Sequence, residues 1–82
     1  MLKITIYSTP SCMYCQMLKL FLKERNFEFE DVDVSQNEEK AQEMIEKSGQ
    51  MGVPVVAIND GNNEKIIIGF DREEIVRALG IK

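Results

Sequence analysis

Cys12 and Cys15 lie between an apolar run that reads as a strand, Ile4-Thr5-Ile6-Tyr7, and one that reads as a helix, Met17-Leu18-Lys19-Leu20-Phe21-Leu22-Lys23. The turn between them is Ser8-Thr9-Pro10-Ser11-Cys12-Met13-Tyr14-Cys15. This placement constrains the chain more than the Cys-x-x-Cys spacing alone. A pair at a strand-to-helix turn sets one thiol on the first helical turn. There, unpaired backbone N–H groups and the positive end of the dipole favour a thiolate. The second thiol, one turn on, can close on the first. Those are the parts of reversible thiol–disulfide exchange.

A bridge between these two is a poor staple. Loop entropy gives a four-residue ring about 2 kcal/mol, against about 4.7 for a hundred-residue loop. With 82 residues and 44% apolar content, the chain reads as one domain over 1–82 that builds its core without crosslinks. Two cysteines do not make a secreted disulfide scaffold. Met1-Leu2-Lys3-Ile4 runs directly into a strand, and no segment approaches the ~20 apolar residues that span a bilayer. A soluble, cytoplasmic protein without membrane attachment is the expectation. A net charge of −4 leaves no basic footprint for nucleic acid. The acidic residues Glu28, Glu30, Asp31 and Asp33, then Glu38, Glu39, Glu43 and Glu46, read as a solvated face.

The rest of the chain alternates cleanly. Residues 2–7 are expected as the first strand and 12–25 as a helix with Tyr14, Leu18, Phe21 and Leu22 on its buried stripe. Residues 27–34 alternate apolar and acidic with one step, which predicts an edge strand. Ser35-Gln36-Asn37-Glu38 has the form of a capping box opening a helix over 36–48, with Ala41, Met44 and Ile45 inward and Gly49 past its end. Residues 53–58 and 65–68 form a hairpin across the 59–63 turn. Asp71 caps the last helix with Glu74 at N3, and Phe70 with Ile75 has the spacing of a hydrophobic staple. The order is βαβ-α-ββ-α. A parallel, right-handed first unit and an antiparallel hairpin make a four-stranded mixed sheet, with three helices over its two faces.

That order, with Cys12-Met13-Tyr14-Cys15 after the first strand, Gly52-Val53-Pro54-Val55 opening the third and Gly69-Phe70-Asp71-Arg72 before the last helix, resembles the smallest thioredoxin folds. It is similar in particular to glutaredoxins and NrdH redoxins, over essentially the whole chain. The resemblance implies an enzyme: a dithiol thiol–disulfide oxidoreductase and electron carrier. Cys12 is then the exposed nucleophile and Cys15 the resolving thiol. Tyr14 matches the tyrosine of the Cys-Pro-Tyr-Cys site, Pro54 the cis-proline beside the disulfide, and Val53 the residue whose backbone pairs with a substrate cysteine. Gly69 and Asp71 stand where the γ-glutamyl end of glutathione is received. Substrates are protein disulfides or glutathione mixed disulfides. The resemblance further implies a monomer without bound cofactor, with glutathione or thioredoxin reductase as the reductant.

Three departures bear on that choice. Met13 replaces the usual proline, the stretch Ser8-Thr9-Pro10-Ser11 just before Cys12 has no lysine, and Phe70 interrupts the Gly-Gly turn, which looks more like the NrdH type. Other readings of the same residues compete. The two cysteines could pack as small hydrophobes, although a strand-to-helix turn exposes at least the first. Zinc lacks a histidine or a second cysteine pair and needs two chains or recruited carboxylates; an iron–sulfur cluster carried by a dimer through Cys12 needs the same second copy. Tyr14 either packs on the stripe or faces a substrate, and Pro54 alone could simply start an edge strand.

Overall fold

The computed structural model describes residues 2–80, so the ends of the expected domain, residues 1 and 81–82, lie outside the described residues. Seven elements follow in order: β1 (Lys3–Ser8), α1 (Met13–Glu24), β2 (Glu30–Asp33), α2 (Glu38–Ser48), β3 (Val55–Asn59), β4 (Glu64–Ile68) and α3 (Arg72–Leu79). The strands form one sheet in the order β2-β1-β3-β4. β1 pairs parallel with β2, and antiparallel with β3, which pairs antiparallel with β4. This is the four-stranded mixed sheet with three helices of the thioredoxin fold.

Period-two alternation sorts the strand residues onto two cores. Ile4, Ile6, Val56, Ile58 and Ile67 face α1 and α3, meeting Leu18, Phe21, Leu22 and Ile75. Tyr7, Val32, Val55 and Ala57 face the other way, against Met44 of α2. Because the sheet is covered on both sides, β1 and β3 read as nearly unbroken apolar runs. Tyr7 is fully buried and satisfies its hydroxyl by donating to a Glu43 carboxylate oxygen. Phe70 completes the first core with an edge-on contact to Phe21, ring centroids 5.6 Å apart. Phe70 and Ile75 thus belong to one cluster, as the staple spacing predicts.

The structure departs from the sequence reading in three places. β2 starts at Glu30, not residue 27: Asn26 is left-handed at φ 62° and Phe27 N–H returns to the Leu22 carbonyl, so the chain is still closing α1. Phe27 and Phe29 pack half-buried on the core instead of joining the ladder, which begins at Thr5 opposite Glu30. Ser35 does not cap α2. Asp33 Oδ1 draws the Ser35 N–H (2.9 Å) and hydroxyl (2.6 Å) into an Asx turn. Asn37 takes the capping role, with its Oδ1 3.1 Å from the Lys40 N–H. Tyr14 is 64% exposed; the inward row of α1 begins at Cys15 and continues through Leu18, Phe21 and Leu22. Helix phase keeps Tyr14 in line with Leu18 and Phe21, at i, i+4 and i+7; what sets it apart is its place in the first turn of α1, which opens at Met13 and leaves it exposed.

The cap assignment has a direct check. Asn37→Ala is expected to cost about 1 kcal/mol in denaturant unfolding. Ser35→Ala removes no helix cap and is expected to cost less than about half of that.

Candidate functional site at one end of the sheet

Strand register brings the site together. Ser8, the last residue of β1, pairs with Asp33; Tyr7 pairs with Val55, so Pro54 falls beside Ser8; and Val55 pairs with Ile68, so Gly69 falls beside Pro54. The cysteine turn, the Val53–Pro54 segment and the Gly69 turn are therefore neighbours at one end of the sheet. The Gly69 N–H donates to the Pro54 carbonyl at 2.8 Å and ties the last two together. The Val53–Pro54 bond is cis. Gly69 sits at φ 80°, a region that favours glycine. Asp71 caps α3, its Oδ1 accepting from the Glu74 N–H at 3.2 Å.

Cys12 is the N-cap of α1. Its N–H donates to the Thr9 carbonyl (3.2 Å), while its Sγ accepts from the Cys15 N–H at 3.1 Å. A sulfur in the N-cap position takes up a helix-start donor that a serine or aspartate oxygen would otherwise satisfy. Cys12 is partly exposed and Cys15 fully buried, so the two thiols differ in access as well as order. Burial, and then the hydrogen bond with Cys12, push the Cys15 thiol up to about 12; the Thr9 backbone and the Lys19 charge act in the opposite direction.

The charge near Cys15 was not read from the sequence. Lys19 lies four residues on, on the same face of α1, and its ammonium reaches Asp31 Oδ2 at 2.7 Å with only 14% of the side chain exposed. The Ser8 hydroxyl donates to the other oxygen of that carboxylate, also at 2.7 Å. Burial alone would raise the Asp31 carboxyl; the Lys19 ion pair and the Ser8 bond outweigh it and hold it below the usual carboxylate range. The i, i+4 relation of Cys15 and Lys19 was the available signal. Gln50 also went unnoticed. Its side chain spans the Gly52 peptide, accepting from Gly52 N–H (2.7 Å) and donating to Gly52 O (2.8 Å), and so braces the entry to Val53–Pro54.

The Glutaredoxin family model matches residues 4–61, a stretch that holds both cysteines and the cis-proline. The chain belongs to the glutaredoxin family. Among its relatives, a glutaredoxin-like 8.6 kDa protein of the rubredoxin operon in Clostridium pasteurianum is 47% identical over 76 residues, 93% of this chain and 96% of that protein. The N-acetyl-S-hydroxy-L-cysteine reductase of Bacillus subtilis is 36% identical over 76 residues, covering 93% and 82%. Among solved structures, the glutaredoxin-like NrdH-redoxin of Escherichia coli, a protein with a thioredoxin-like activity profile, superposes with a TM-score of 0.73 at 31% identity, over 92% of each chain. As a glutaredoxin-family protein with a Cys12–Cys15 pair, the chain has the equipment of a thiol–disulfide oxidoreductase. Among the described residues, no helix is long and apolar enough to cross a membrane.

Proposed function

We propose that the protein is a monomeric, cytoplasmic dithiol oxidoreductase that reduces protein disulfides through Cys12 and Cys15 and is recharged by a reductase of the thioredoxin-reductase kind. The observation that carries the dithiol reading is the asymmetry of the pair. One sulfur is accessible and hydrogen-bonded at a helix start; the other is sealed beneath it.

The Cys12 thiolate attacks one sulfur of a substrate disulfide, and the substrate's second sulfur leaves as a thiolate that takes a proton from solvent. The substrate is now held on Cys12 as a mixed disulfide, with Val53 and Pro54 alongside. Forming that bond removes the Cys12 charge and leaves its sulfur a weaker acceptor, easing two of the causes that raise Cys15. Burial still raises it, while Lys19 and the Thr9 backbone still favour its thiolate. Cys15 then gives up its proton and attacks Cys12. The Cys12–Cys15 bond forms as the substrate sulfur departs with the electron pair and is protonated. Two electrons have passed from the dithiol to the substrate.

The choice of reductant rests on what surrounds the pair. Ser8-Thr9-Pro10-Ser11 offers no cation to a glutathione carboxylate. Phe70 is turned onto Phe21, leaving a single open glycine, Gly69, in the turn before α3. Met13 and Met51 stay more than 70% exposed on the rim, a surface suited to a protein partner rather than to a small charged one. The test is a coupled assay on a small disulfide with two electron sources side by side. Turnover is expected with NADPH and thioredoxin reductase, at least about tenfold above the rate with glutathione and glutathione reductase. Turnover with glutathione alone would instead make Gly69 and Asp71 a working glutathione site.

A further inference from the structure

The outer face of α1 carries an apolar stripe that no other element covers. Met13, Met17 and Leu20 follow the i, i+4, i+7 rule of a single helix face, and they are 75%, 50% and 58% exposed. The stripe begins beside Cys12 and ends in a groove between α1 and the start of α3. Phe21 and Phe70 line the groove along with Met17 and Leu20. The cavity there is about 360 Å³, the size of one or two large side chains.

Two guanidiniums edge this groove. Arg25 lies 3.8 Å over the Phe21 ring and Arg72 5.2 Å from it. Arg25 spends one N–H on the Phe21 carbonyl, at 3.3 Å, and its guanidinium carries further donors. Lys3, Lys19, Lys40, Lys47, Lys65 and Arg77 are all within ion-pair distance of a carboxylate. Among the described residues, Lys23, Arg25 and Arg72 have no such partner; of these Arg25 and Arg72 line the groove, where a single carboxylate, Glu24, shares their rim. On a chain of net charge −4, this is a local cationic edge on an apolar groove that the Met13–Met17–Leu20 stripe joins to the Cys12 end of α1. Its complement is apolar and acidic.

We infer that this groove is the docking site for the redox partner's own polypeptide: an extended segment next to the cysteine under attack, with an apolar side chain over Phe21 and a carboxylate between Arg25 and Arg72. The inference rests on the dithiol reading above and supplies its substrate class. Helix rise fixes the register. From Cys12 to Phe21 is nine residues, roughly 13 Å along the axis, which an extended strand covers in about four residues. The carboxylate therefore belongs about four to six positions from the partner cysteine. A planar guanidinium pair stacked on an aromatic ring is suited to forked recognition of carboxylates.

The test uses synthetic peptides with one cysteine activated as a 2-thiopyridyl disulfide. Attack of the Cys12 thiolate on the peptide sulfur breaks that disulfide and releases pyridine-2-thione, whose absorbance reports the rate; Cys15 then displaces the peptide as its thiol. One peptide carries Leu and Glu four and five positions from the cysteine, and its counterpart carries Leu and Lys. Both are referenced to bis(2-hydroxyethyl) disulfide, which has neither feature. The acidic peptide is expected to react at least about fivefold faster than its lysine counterpart at low salt, with the preference fading as salt rises. Arg25→Gln combined with Arg72→Gln should abolish the preference, whereas Lys47→Gln on the opposite face of the sheet should preserve it. Equal rates for the two peptides alongside rapid reduction of the neutral disulfide would overturn the docking site and leave the dithiol reading standing. No reaction with any disulfide would overturn both. A dimer in sedimentation at the assay concentration, lost in the double variant, would show a second copy on this face and also overturn the proposal.

Discussion

Cys12→Ser is expected to lose disulfide reduction by at least about a thousandfold while folding normally, because it removes the nucleophile through which the reaction runs. Its serine oxygen can still accept the Cys15 N–H that Cys12 accepts at 3.1 Å, so the helix keeps its cap. Cys15→Ser is expected to behave differently. The first attack survives, resolution does not, and the substrate accumulates on Cys12 as a mixed disulfide visible by mass spectrometry. In the native protein, resolution should depend on pH. In the mixed disulfide burial still raises Cys15, so its thiolate is the minor form at neutral pH and its fraction grows as pH rises. The resolving step should therefore accelerate from pH 6 to pH 8. A pH-independent resolution rate would mean that Cys15 is not the group that resolves.

The second large effect is on stability. Leu18 is fully buried between α1 and the sheet, and Leu18→Ala is expected to cost about 3 kcal/mol, within the range of leucine truncations in cores. For a domain of this size that is a fall in Tm of roughly 12–24 °C. Small domains hold about 0.05–0.15 kcal/mol per residue, so such a loss is a large part of the total. Leu20→Ala, two residues along the same helix, removes an exposed side chain and should change stability by less than about 0.5 kcal/mol. Comparable losses at both positions would mean that α1 does not present these faces to the core and to solvent.

Elements built on strong periodicity could be read directly from the chain. Ile4 and Ile6 against Tyr7, and Val56 and Ile58 against Val55 and Ala57, alternate because a sheet covered on both faces needs two apolar sets. Competing local hydrogen bonds were harder to read. Ser35 and Asn37 are both good caps, and nothing in their order says that Asp33 will take Ser35 into an Asx turn first. Tyr14 shares the phase of Leu18 and Phe21, so periodicity alone could not show that the first turn of α1 leaves it exposed. Of the site, the cysteine pair was legible because its chemistry is local, whereas the Val53–Pro54 and Gly69 turns were placed there by the family resemblance alone. The Lys19–Asp31–Ser8 cluster was not legible, since it joins α1, β2 and β1 and exists only once β1 and β2 pair. The cationic groove was hidden for the same reason: Arg25 and Arg72 are far apart in the chain and meet only over Phe21.

The central claim is that the accessible sulfur attacks while the buried one waits, and site-mapped alkylation tests it most directly. The reduced protein would be exposed briefly to iodoacetamide at neutral pH, then digested and mapped by mass spectrometry. A single adduct on Cys12, with Cys15 unmodified until the protein is unfolded, is the predicted result. Modification of Cys15 first, or of both at equal rates in the folded protein, would contradict it.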